Sequence, residues 1–487
     1  MKQALVLLSA VVLILALGFS MGSALSAQAD DDWAVGHWKG TLVAGPQQIP
    51  MVFHLASGDE GALEGTLDVQ GITLPLTTVA VADGTLAMTF AVPGGGTYEG
   101  SRDDSGDAIS GTFSQAGQPF PMELERSEGD ERPLRPQEPK PPYPYQVEDV
   151  TFPNESAGIE LAGTITLPEG AGPFPGVVLV SGSGPQDRDE ALMDHKPFHV
   201  LADYLTRQGI AVLRFDDRGV GESGGEFASA TSEDFATDAV AATSFLASRT
   251  EVAEDRVGIA GHSEGGLIAP MAAGLTDEVA YTVLLAGPGV AGLDILREQQ
   301  MLIARAGGAA PAIIELNARI LDVLMEVMRG ESDPDAADPL MREAMRAEID
   351  KLPADVKEAA GEALGEPLIE QTVRQFNSVW FRFFLSYDPR PALEAVTVPV
   401  LAIFGEKDLQ VPPAQSAPEI EAAFERAGHD DATVLVLPGL NHLFQEAETG
   451  SPTEYQQIEQ TMSPAVLEAV SSWILQRFGP GATISDR

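Results

Sequence analysis

The sequence predicts a small all-β domain followed by a larger α/β domain, whose mostly parallel sheet carries helices on both faces. Short strand-like runs separated by Gly, Asp and Ser turns fill most of residues 30–126. From residue 146 onward, unbroken apolar runs alternate with helical patterns. Such strands are typical of a parallel sheet buried on both faces. A Pro-rich stretch separates the two patterns, and we place the domain boundary there.

The composition excludes several classes of function. The chain has 487 residues, with 29 Lys and Arg against 73 Asp and Glu, and a formal net charge of −44. Nucleic-acid binding needs a cationic face, so this charge argues against a nucleic-acid partner. The chain has no cysteine, which excludes disulfides, thiolate catalysis and thiolate metal sites.

The first 29 residues predict a secretory signal peptide. Lys2 supplies a positive start, residues 4–19 are almost wholly apolar, and residues 27–29 fit a small-x-small cleavage site. The alternative is an uncleaved anchor helix, but the apolar stretch is short for crossing a bilayer. We therefore expect an exported protein, periplasmic or extracellular, without a stable membrane span after cleavage.

Residues 30–126 predict a barrel-like or sandwich-like accessory domain. Its strand-like runs include IPMVFHL (49–55), LPLTTVAV (74–81) and TLAMTFAV (85–92). Frequent strands without a helical period are typical of small antiparallel barrels and sandwiches. His37 and His54 are interpreted as surface or packing residues, because nothing in this region suggests a catalytic pair.

The predicted α/β domain spans residues 146–487 and follows a Pro-rich, semi-rigid linker at 127–145. Its strands are expected at 176–182, 210–216, 256–261, 281–289, 398–408 and 432–442, with helices at 197–209, 232–249 and 464–478. A stretch rich in Ala, Glu, Met and Arg, at about 290–390, predicts an inserted helical cap. Its helices are expected at 294–306, 312–329, 338–349 and 367–387.

The stretch GHSEG, residues 261–265, lies between a predicted strand and a predicted helix. A G-x-S-x-G pattern in that context presents its serine on a sharp turn, close to the N–H groups that begin the helix. The glycines are needed because bulky neighbours would clash at so strained a turn. Ser263 is therefore a candidate nucleophile, and the alternative is a plain glycine turn.

A serine nucleophile needs a base, and the base needs an orienting carboxylate. His442, in LPGLNHLF, and Asp408, in FGEKDLQVPP, each follow a predicted strand. Both residues should lie at the carboxyl end of the sheet, as Ser263 does. Taken alone, His442 is equally consistent with a capping or surface histidine, but the three positions together predict a Ser263–Asp408–His442 triad.

An acyl-transfer site also needs N–H groups that stabilise an oxyanion. The loop at 180–190, VSGSGPQDRDE, follows the first central strand, and its glycines let the backbone approach a substrate. We nominate the backbone N–H groups of Ser183 and Glu264 as the oxyanion hole. The alternative interpretation of this loop is tight packing alone.

These motifs resemble those of the α/β-hydrolase superfamily, in its serine aminopeptidase-like and esterase branch. The resemblance covers about residues 150–478 and rests on SGSGPQDRD, FDDRGVGES, GHSEGG, GEKDLQVP and GLNH. It implies an α/β-hydrolase fold with the chain order serine, acid, histidine that this sequence has. It also places Ser183 third in a family H-G-x-G loop. Here Ser181 replaces the usual histidine, which removes one loop hydrogen bond.

The resemblance makes the FDDRGVGES stretch a structural turn, in which Asp216 and Arg218 support the neighbouring loops by hydrogen bonds. Two interpretations of the Glu264 side chain stay open: an ion pair with Arg188, which we favour, or binding of a cationic group on the substrate. Aromatic residues in 380–393 line an acyl pocket or pack the cap on the core.

The leading interpretation is an exported serine hydrolase that cleaves carboxylic esters through an acyl-enzyme, without a metal or organic cofactor. An aminopeptidase or amidase with the same triad is one alternative. A ligand-binding β-module with secondary hydrolase activity is another. The expected partner is a small-molecule ester or amide, and the oligomeric state is left open.

Overall fold

The computed structural model describes residues 31–44, 47–58, 63–69, 72–90, 95–103, 105–115, 118–127 and 133–480. These residues form two compact units that part between Leu134 and Arg135. The predicted signal peptide, residues 1–29, lies outside the described residues. Among the helices of the described residues, none combines the length and the apolar character needed to cross a membrane.

In the described part of residues 31–127, eight antiparallel strands close into a barrel, with the last strand paired to the first. The strands are β1 (Gly36–Ala44), β2 (Gln47–Ser57), β3 (Leu63–Val69), β4 (Ile72–Ala82), β5 (Thr85–Phe90), β6 (Gly96–Arg102), β7 (Ala108–Gln115) and β8 (Gln118–Ser127). Alternate side chains point inward, and Trp38, Phe53 and Tyr98 fill the interior. Of the two predicted architectures, the barrel is the one that forms.

The pairing of β1 with β2 places His37 opposite His54. Their Nδ1 atoms lie 2.6 Å apart, and Nε2 of His54 lies 2.7 Å from Oδ2 of Asp68 on β3. From the sequence alone, these two histidines were interpreted as surface or packing residues. Strand pairing joins His37, His54 and Asp68 into one hydrogen-bonded network. The sequence does not show this network, because the three residues are separated along it.

The second unit contains an eight-stranded sheet within residues 133–480, in the order β16-β15-β14-β13-β11-β12-β10-β9. The strands are β9 (Gln146–Asn154), β10 (Ile159–Leu167), β11 (Phe174–Val180), β12 (Ala211–Phe215), β13 (Val252–His262), β14 (Thr282–Leu285), β15 (Val400–Gly405) and β16 (Ala432–Leu437). The strands predicted from apolar runs all form, and they pair in parallel. The sequence did not predict β9 and β10 individually, and they extend one edge antiparallel.

Helices cover both faces of this sheet. Those outside the cap are α1 (Pro197–Arg207), α2 (Ser232–Ala247), α3 (Glu264–Ala273), α11 (Pro413–Ala427) and α12 (Pro464–Phe478). Along β11, Val178 and Val180 pack in one apolar cluster with α2, α3 and α11. Val177 and Leu179 pack in the opposite cluster with α1 and α12. This two-sided burial is the reason why the strands are apolar without alternation.

The predicted cap forms between β14 and β15, within residues 133–480. Its helices are α4 (Gly292–Ala306), α5 (Pro311–Gly330), α6 (Pro334–Asp350), α7 (Ala354–Ala360), α8 (Glu366–Phe376), α9 (Val379–Ser386) and α10 (Arg390–Ala395). The prediction of a single helix over 367–387 was wrong, because α8 ends at Phe376 and α9 begins after Ser378. The Ser378 hydroxyl accepts the N–H of Phe381 and so begins a new helix. Helices α7 and α10 were not predicted from the sequence.

The second half of the predicted linker, residues 135–145, belongs to the second unit. Arg135 donates to the carbonyl groups of Ile458 and Met193 at 2.9 and 3.0 Å. The Gln137 side chain donates to the Met462 carbonyl at 2.7 Å. Long polar side chains thus anchor this Pro-rich segment, whose prolines cannot donate backbone hydrogen bonds.

His195 ties the segment before α1 to the loops that follow β16. Its Nε2 lies 2.9 Å from the Tyr455 carbonyl oxygen and 3.0 Å from Nε2 of Gln445, and its Nδ1 lies 2.9 Å from the Thr461 hydroxyl. A carbonyl only accepts, so Nε2 donates and Nδ1 accepts from the hydroxyl. The residue is fully buried, and burial lowers the pKa of His195 to about 4.

Acidification should therefore destabilise the second unit through His195. A histidine in the unfolded chain titrates near 6.5, so below that pH the unfolded state binds the proton first. The contribution is fully present above pH ~6.5 and is lost as the pH falls toward ~4, by up to about 3 kcal/mol. In His195→Gln this part of the pH dependence should disappear, as measured by Tm between pH 7.5 and 4. Thr461→Val, which removes the hydroxyl partner but keeps the buried imidazole, should lower Tm and retain most of the pH dependence. Parallel curves for wild type and His195→Gln would contradict the assignment.

Candidate active site

Ser263 occupies a strained turn between the end of β13 and the start of α3. Its backbone has φ 54° and ψ −115°, and a positive φ is unfavourable for a residue with a Cβ. The flanking glycines make the turn sterically feasible. A Cβ on Gly261 would collide with the Gly265 carbonyl, and a Cβ on Gly265 would collide with the Val180 carbonyl at the end of β11. The GHSEG stretch therefore forms the kind of turn that its glycines predict.

Asp408 and His442 meet beyond the ends of β15 and β16. Oδ2 of Asp408 lies 2.7 Å from Nδ1 of His442. Oδ1 accepts the N–H groups of Gln410 and Val411 at 2.7 and 2.9 Å, which fixes the carboxylate. Both residues are buried. Because the carboxylate accepts a hydrogen bond from Nδ1, Nε2 of His442 is left as the acceptor that a general base needs.

His262, the residue directly before Ser263, packs against His442. The rings of His262 and His442 have centroids 4.8 Å apart, and Nε2 of His262 lies 3.0 Å from the His442 carbonyl oxygen. Within the residues that the structure describes, the Ser263 hydroxyl makes no hydrogen bond to His442. Such bonds often tighten only when substrate is bound. The triad of Ser263, Asp408 and His442 stays a prediction, with two of its members in direct contact.

The loop after β11 passes beside the serine. A Cβ on Gly182 would lie 3.2 Å from the Cβ of Ser263. The Gly182 N–H is already donated to Oε1 of Glu190, at 2.8 Å. The N–H groups of Ser183 and Glu264 have no acceptor among the described residues, and they are the two nominated as oxyanion donors. Their role stays a prediction, but their hydrogen-bonding capacity is available for it.

Asp216 and Arg218 support the surrounding loops, as expected. The carboxylate of Asp216 accepts the backbone N–H of Arg188, its guanidinium, and the N–H of Glu222. Burial raises the pKa of Asp216, but these donors outweigh burial and hold the pKa below its ordinary value. Arg218 forms a bidentate pair with Asp238, at 2.7 and 2.9 Å.

The replacement of the family histidine by Ser181 does not leave this position without a side-chain bond. The Ser181 hydroxyl donates to Oδ1 of Asp217 at 2.7 Å, and Oδ2 of Asp217 accepts the Gln186 N–H at 2.9 Å. The expected loss of a loop hydrogen bond is thus offset by a bond to the next strand's loop. Burial raises the pKa of Asp217 well above its usual range.

The predicted ion pair between Glu264 and Arg188 was wrong. Arg188 binds Asp216 instead. Oε1 of Glu264 accepts the Ser232 hydroxyl at 2.6 Å and Nε1–H of Trp380 at 2.8 Å. Burial outweighs these hydrogen bonds and raises the pKa of Glu264. The carboxylate is 2% exposed, so it faces these donors and not solvent.

Sequence reasoning missed three residues that shape this site. Trp380 and Ser232 bind the Glu264 carboxylate, and Glu190 binds both the loop after β11 and His262. Trp380 had one signal, its place in the aromatic stretch of the cap. Ser232 and Glu190 had none, because their partners are distant along the chain.

A sheet of this order, with a strained serine after its fifth strand and an acid and a histidine after later strands, defines the α/β-hydrolase fold. The chain belongs to the serine aminopeptidase S33 family, whose sequence profile matches residues 194–448, just over half of the chain.

The similarity extends to individual proteins. Esterase EstD from Thermotoga maritima is 29% identical over 317 residues, a match that spans 65% of this chain and 66% of EstD, slightly less than two thirds of its length. Among solved structures, the Pyrococcus furiosus esterase Pf2001 has a TM-score of 0.41 at 17% identity, covering 72% of this chain and 99% of that chain. A 2,6-dihydroxy-pseudo-oxynicotine hydrolase has a TM-score of 0.39 at 16% identity, covering 70% of each chain.

Replacing Trp380 with Phe should destabilise the second unit more than replacing Trp473 with Phe. Trp380→Phe removes one of two donors to Oε1 of the buried Glu264, with the Ser232 hydroxyl still bound, and the loss of one hydrogen bond costs about 0.5–1.5 kcal/mol. Trp473 is also buried, but within the described residues its Nε1 has no hydrogen-bond partner. Trp473→Phe thus removes ring volume and weakens the contact with the Arg477 guanidinium, 4.4 Å from the ring centroid, but it breaks no hydrogen bond. Thermal or urea unfolding measures the difference, and equal losses in the two variants would contradict an anchoring role for Trp380.

Proposed function

We propose that this protein is a serine hydrolase that cleaves carboxylic esters, with Ser263 as the nucleophile. The observation that carries the proposal is the strained Ser263 turn beside the buried Asp408–His442 pair. Membership of a serine aminopeptidase family and the similarity to an esterase support it.

In the proposed reaction, Oγ of Ser263 attacks the ester carbonyl while Nε2 of His442 takes the hydroxyl proton. Asp408 holds Nδ1–H of His442 and stabilises the imidazolium that forms. The N–H groups of Ser183 and Glu264 stabilise the tetrahedral oxyanion. His442 then gives its proton to the leaving alcohol, and an acyl-enzyme remains. A water molecule, deprotonated by His442, attacks this ester in the same way and releases the carboxylic acid.

The same triad also cleaves amides, so an aminopeptidase or amidase is the second candidate. An aminopeptidase needs an anionic group that receives the substrate ammonium. Glu264, the acid beside the nucleophile, is buried and already accepts hydrogen bonds from Ser232 and Trp380. This arrangement favours the esterase over the aminopeptidase.

A ligand-binding role for the barrel is the third candidate. Trp38, Phe53 and Tyr98 fill the barrel interior, which argues against a ligand held in the lumen. The chemistry of the proposal therefore belongs to the second unit. The proposal also includes export, which rests on the sequence of residues 1–29 alone, and N-terminal sequencing of the mature protein tests it.

Ser263→Ala should lower kcat/KM for p-nitrophenyl butyrate by at least about 10³-fold and abolish covalent labelling by a fluorophosphonate. Asp408→Asn should lose less, because Asp408 acts through His442. Ser416→Ala is the matched control: this serine is fully buried, and within the described residues its hydroxyl has no hydrogen-bond partner. Retained hydrolysis by a folded Ser263→Ala variant would refute the assignment.

The choice between esterase and aminopeptidase can be measured on one pair of substrates. We expect kcat/KM for an alanine p-nitrophenyl ester with a free α-amine to be no higher than for its N-acetyl analogue. The reason is that the Glu264 carboxylate is not available to an ammonium group. A preference of about tenfold or more for the free amine, about 1.4 kcal/mol, would favour the aminopeptidase instead.

A further inference from the structure

Glu190 and His262 form a buried hydrogen-bonded chain beside the proposed triad, and the reaction described above does not use it. Oε1 of Glu190 accepts the Gly182 N–H at 2.8 Å and lies 2.9 Å from Nδ1 of His262. Nε2 of His262 lies 3.0 Å from the carbonyl oxygen of His442. Glu190 is 5% exposed and His262 is 6% exposed, so water competes little for these bonds.

The partners of His262 determine which hydrogen atoms its ring carries. The His442 carbonyl only accepts, so Nε2 of His262 donates. Nδ1 of His262 faces Oε1 of Glu190, while Oε2 of Glu190 is buried without a hydrogen-bond partner among the described residues. Burial lowers the pKa of His262, but the charge and hydrogen bond of Glu190 outweigh burial and raise the pKa above its usual value.

Each end of this chain holds a part of the proposed machinery. The Gly182 N–H precedes Ser183, whose own N–H is a nominated oxyanion donor, so the bond from Gly182 to Glu190 orients that loop. His262 directly precedes Ser263 and holds the backbone of His442. Glu190 itself has a positive φ of 52°, a strained conformation that the surrounding contacts must maintain.

We propose that Glu190 and His262 are positioning residues. They hold the oxyanion loop (the loop after β11 that carries Gly182 and Ser183) and the backbone of His442 in fixed positions around Ser263. The proposal rests on the proposed function, because it assigns a role within the same reaction. Neither residue needs to touch the substrate. A displacement of ~1 Å between nucleophile, base and oxyanion donors can cost roughly 10²-fold in rate, which is the effect that such a chain prevents.

The test uses Glu190→Gln, His262→Phe and the double variant in the full chain. Fluorophosphonate labelling counts the reactive serines, and kcat and KM are measured with p-nitrophenyl butyrate. We expect kcat per labelled serine to fall about 10- to 100-fold in each single variant, with KM changed less than about threefold. The loss of kcat in the double variant should not exceed the larger of the two single losses, because either change breaks the same hydrogen-bonded chain. Glu190→Gln is nearly isosteric and carries the test should His262→Phe fail to fold.

Glu348→Gln is the matched control. Glu348 is also 5% exposed and lies in α6 of the cap, where it binds Arg319 and Lys351. It should lose stability while kcat per labelled serine stays near that of wild type. The inference is overturned if kcat stays within about twofold in Glu190→Gln, if only KM changes, or if the two single effects add in the double variant. If wild type is neither labelled nor active on esters, the proposed function fails and this inference fails with it.

Discussion

The site depends on one close approach, between the first turn of α3 and the end of β11. Gly265 lies so near the carbonyl groups of Val180 and Ser181 that no side chain fits between them, and Gly266 meets Gly287 in the same way. This contact brings the N-terminus of a helix, the loop after β11 and the serine turn into one place. The strain at Ser263 is a local consequence, which the two-sided packing of the sheet maintains.

Buried acidic side chains then fix the loops around this contact, and their partners decide in which direction each pKa is shifted. Asp216 faces the Arg188 guanidinium, so its pKa is lowered in spite of burial. Asp217 and Glu264 face hydroxyl and N–H donors, so burial dominates and their pKa values are raised. The formal charge of −44 is thus a poor guide to the site, where the acids act as hydrogen-bond partners of particular loops.

The elements with a strong local signal could be predicted from the sequence. Continuous apolar runs located the parallel strands, and glycines around Ser263 located the turn, because burial and steric fit act on neighbouring residues. Asp408 and His442 could be nominated since parallel strands end at one edge of the sheet. The break before Ser378 was missed because a helical pattern continues across it and only the serine cap marks the new start.

Partners that are distant along the chain could not be predicted in this way. Ser232 and Trp380 stand 32 and 116 residues from Glu264, and Glu190 stands 72 residues from His262. A carboxylate pairs with whichever donor the packing brings near. Arg188, which the sequence suggested as the partner of Glu264, forms its ion pair with Asp216 instead. In the barrel, His37 and His54 meet only through the register of β1 with β2.

The two glutamates hold the proposed nucleophile from different sides. Glu190 connects the oxyanion loop with the backbone of His442. Glu264 joins the start of α2, through the Ser232 hydroxyl, to Trp380 of the cap. Because Glu264 also offers a backbone N–H to the proposed oxyanion, the cap is attached at a residue of the reacting centre itself. A shift of α9 therefore changes the donors around the Glu264 carboxyl group, in the residue whose backbone N–H is nominated for the oxyanion.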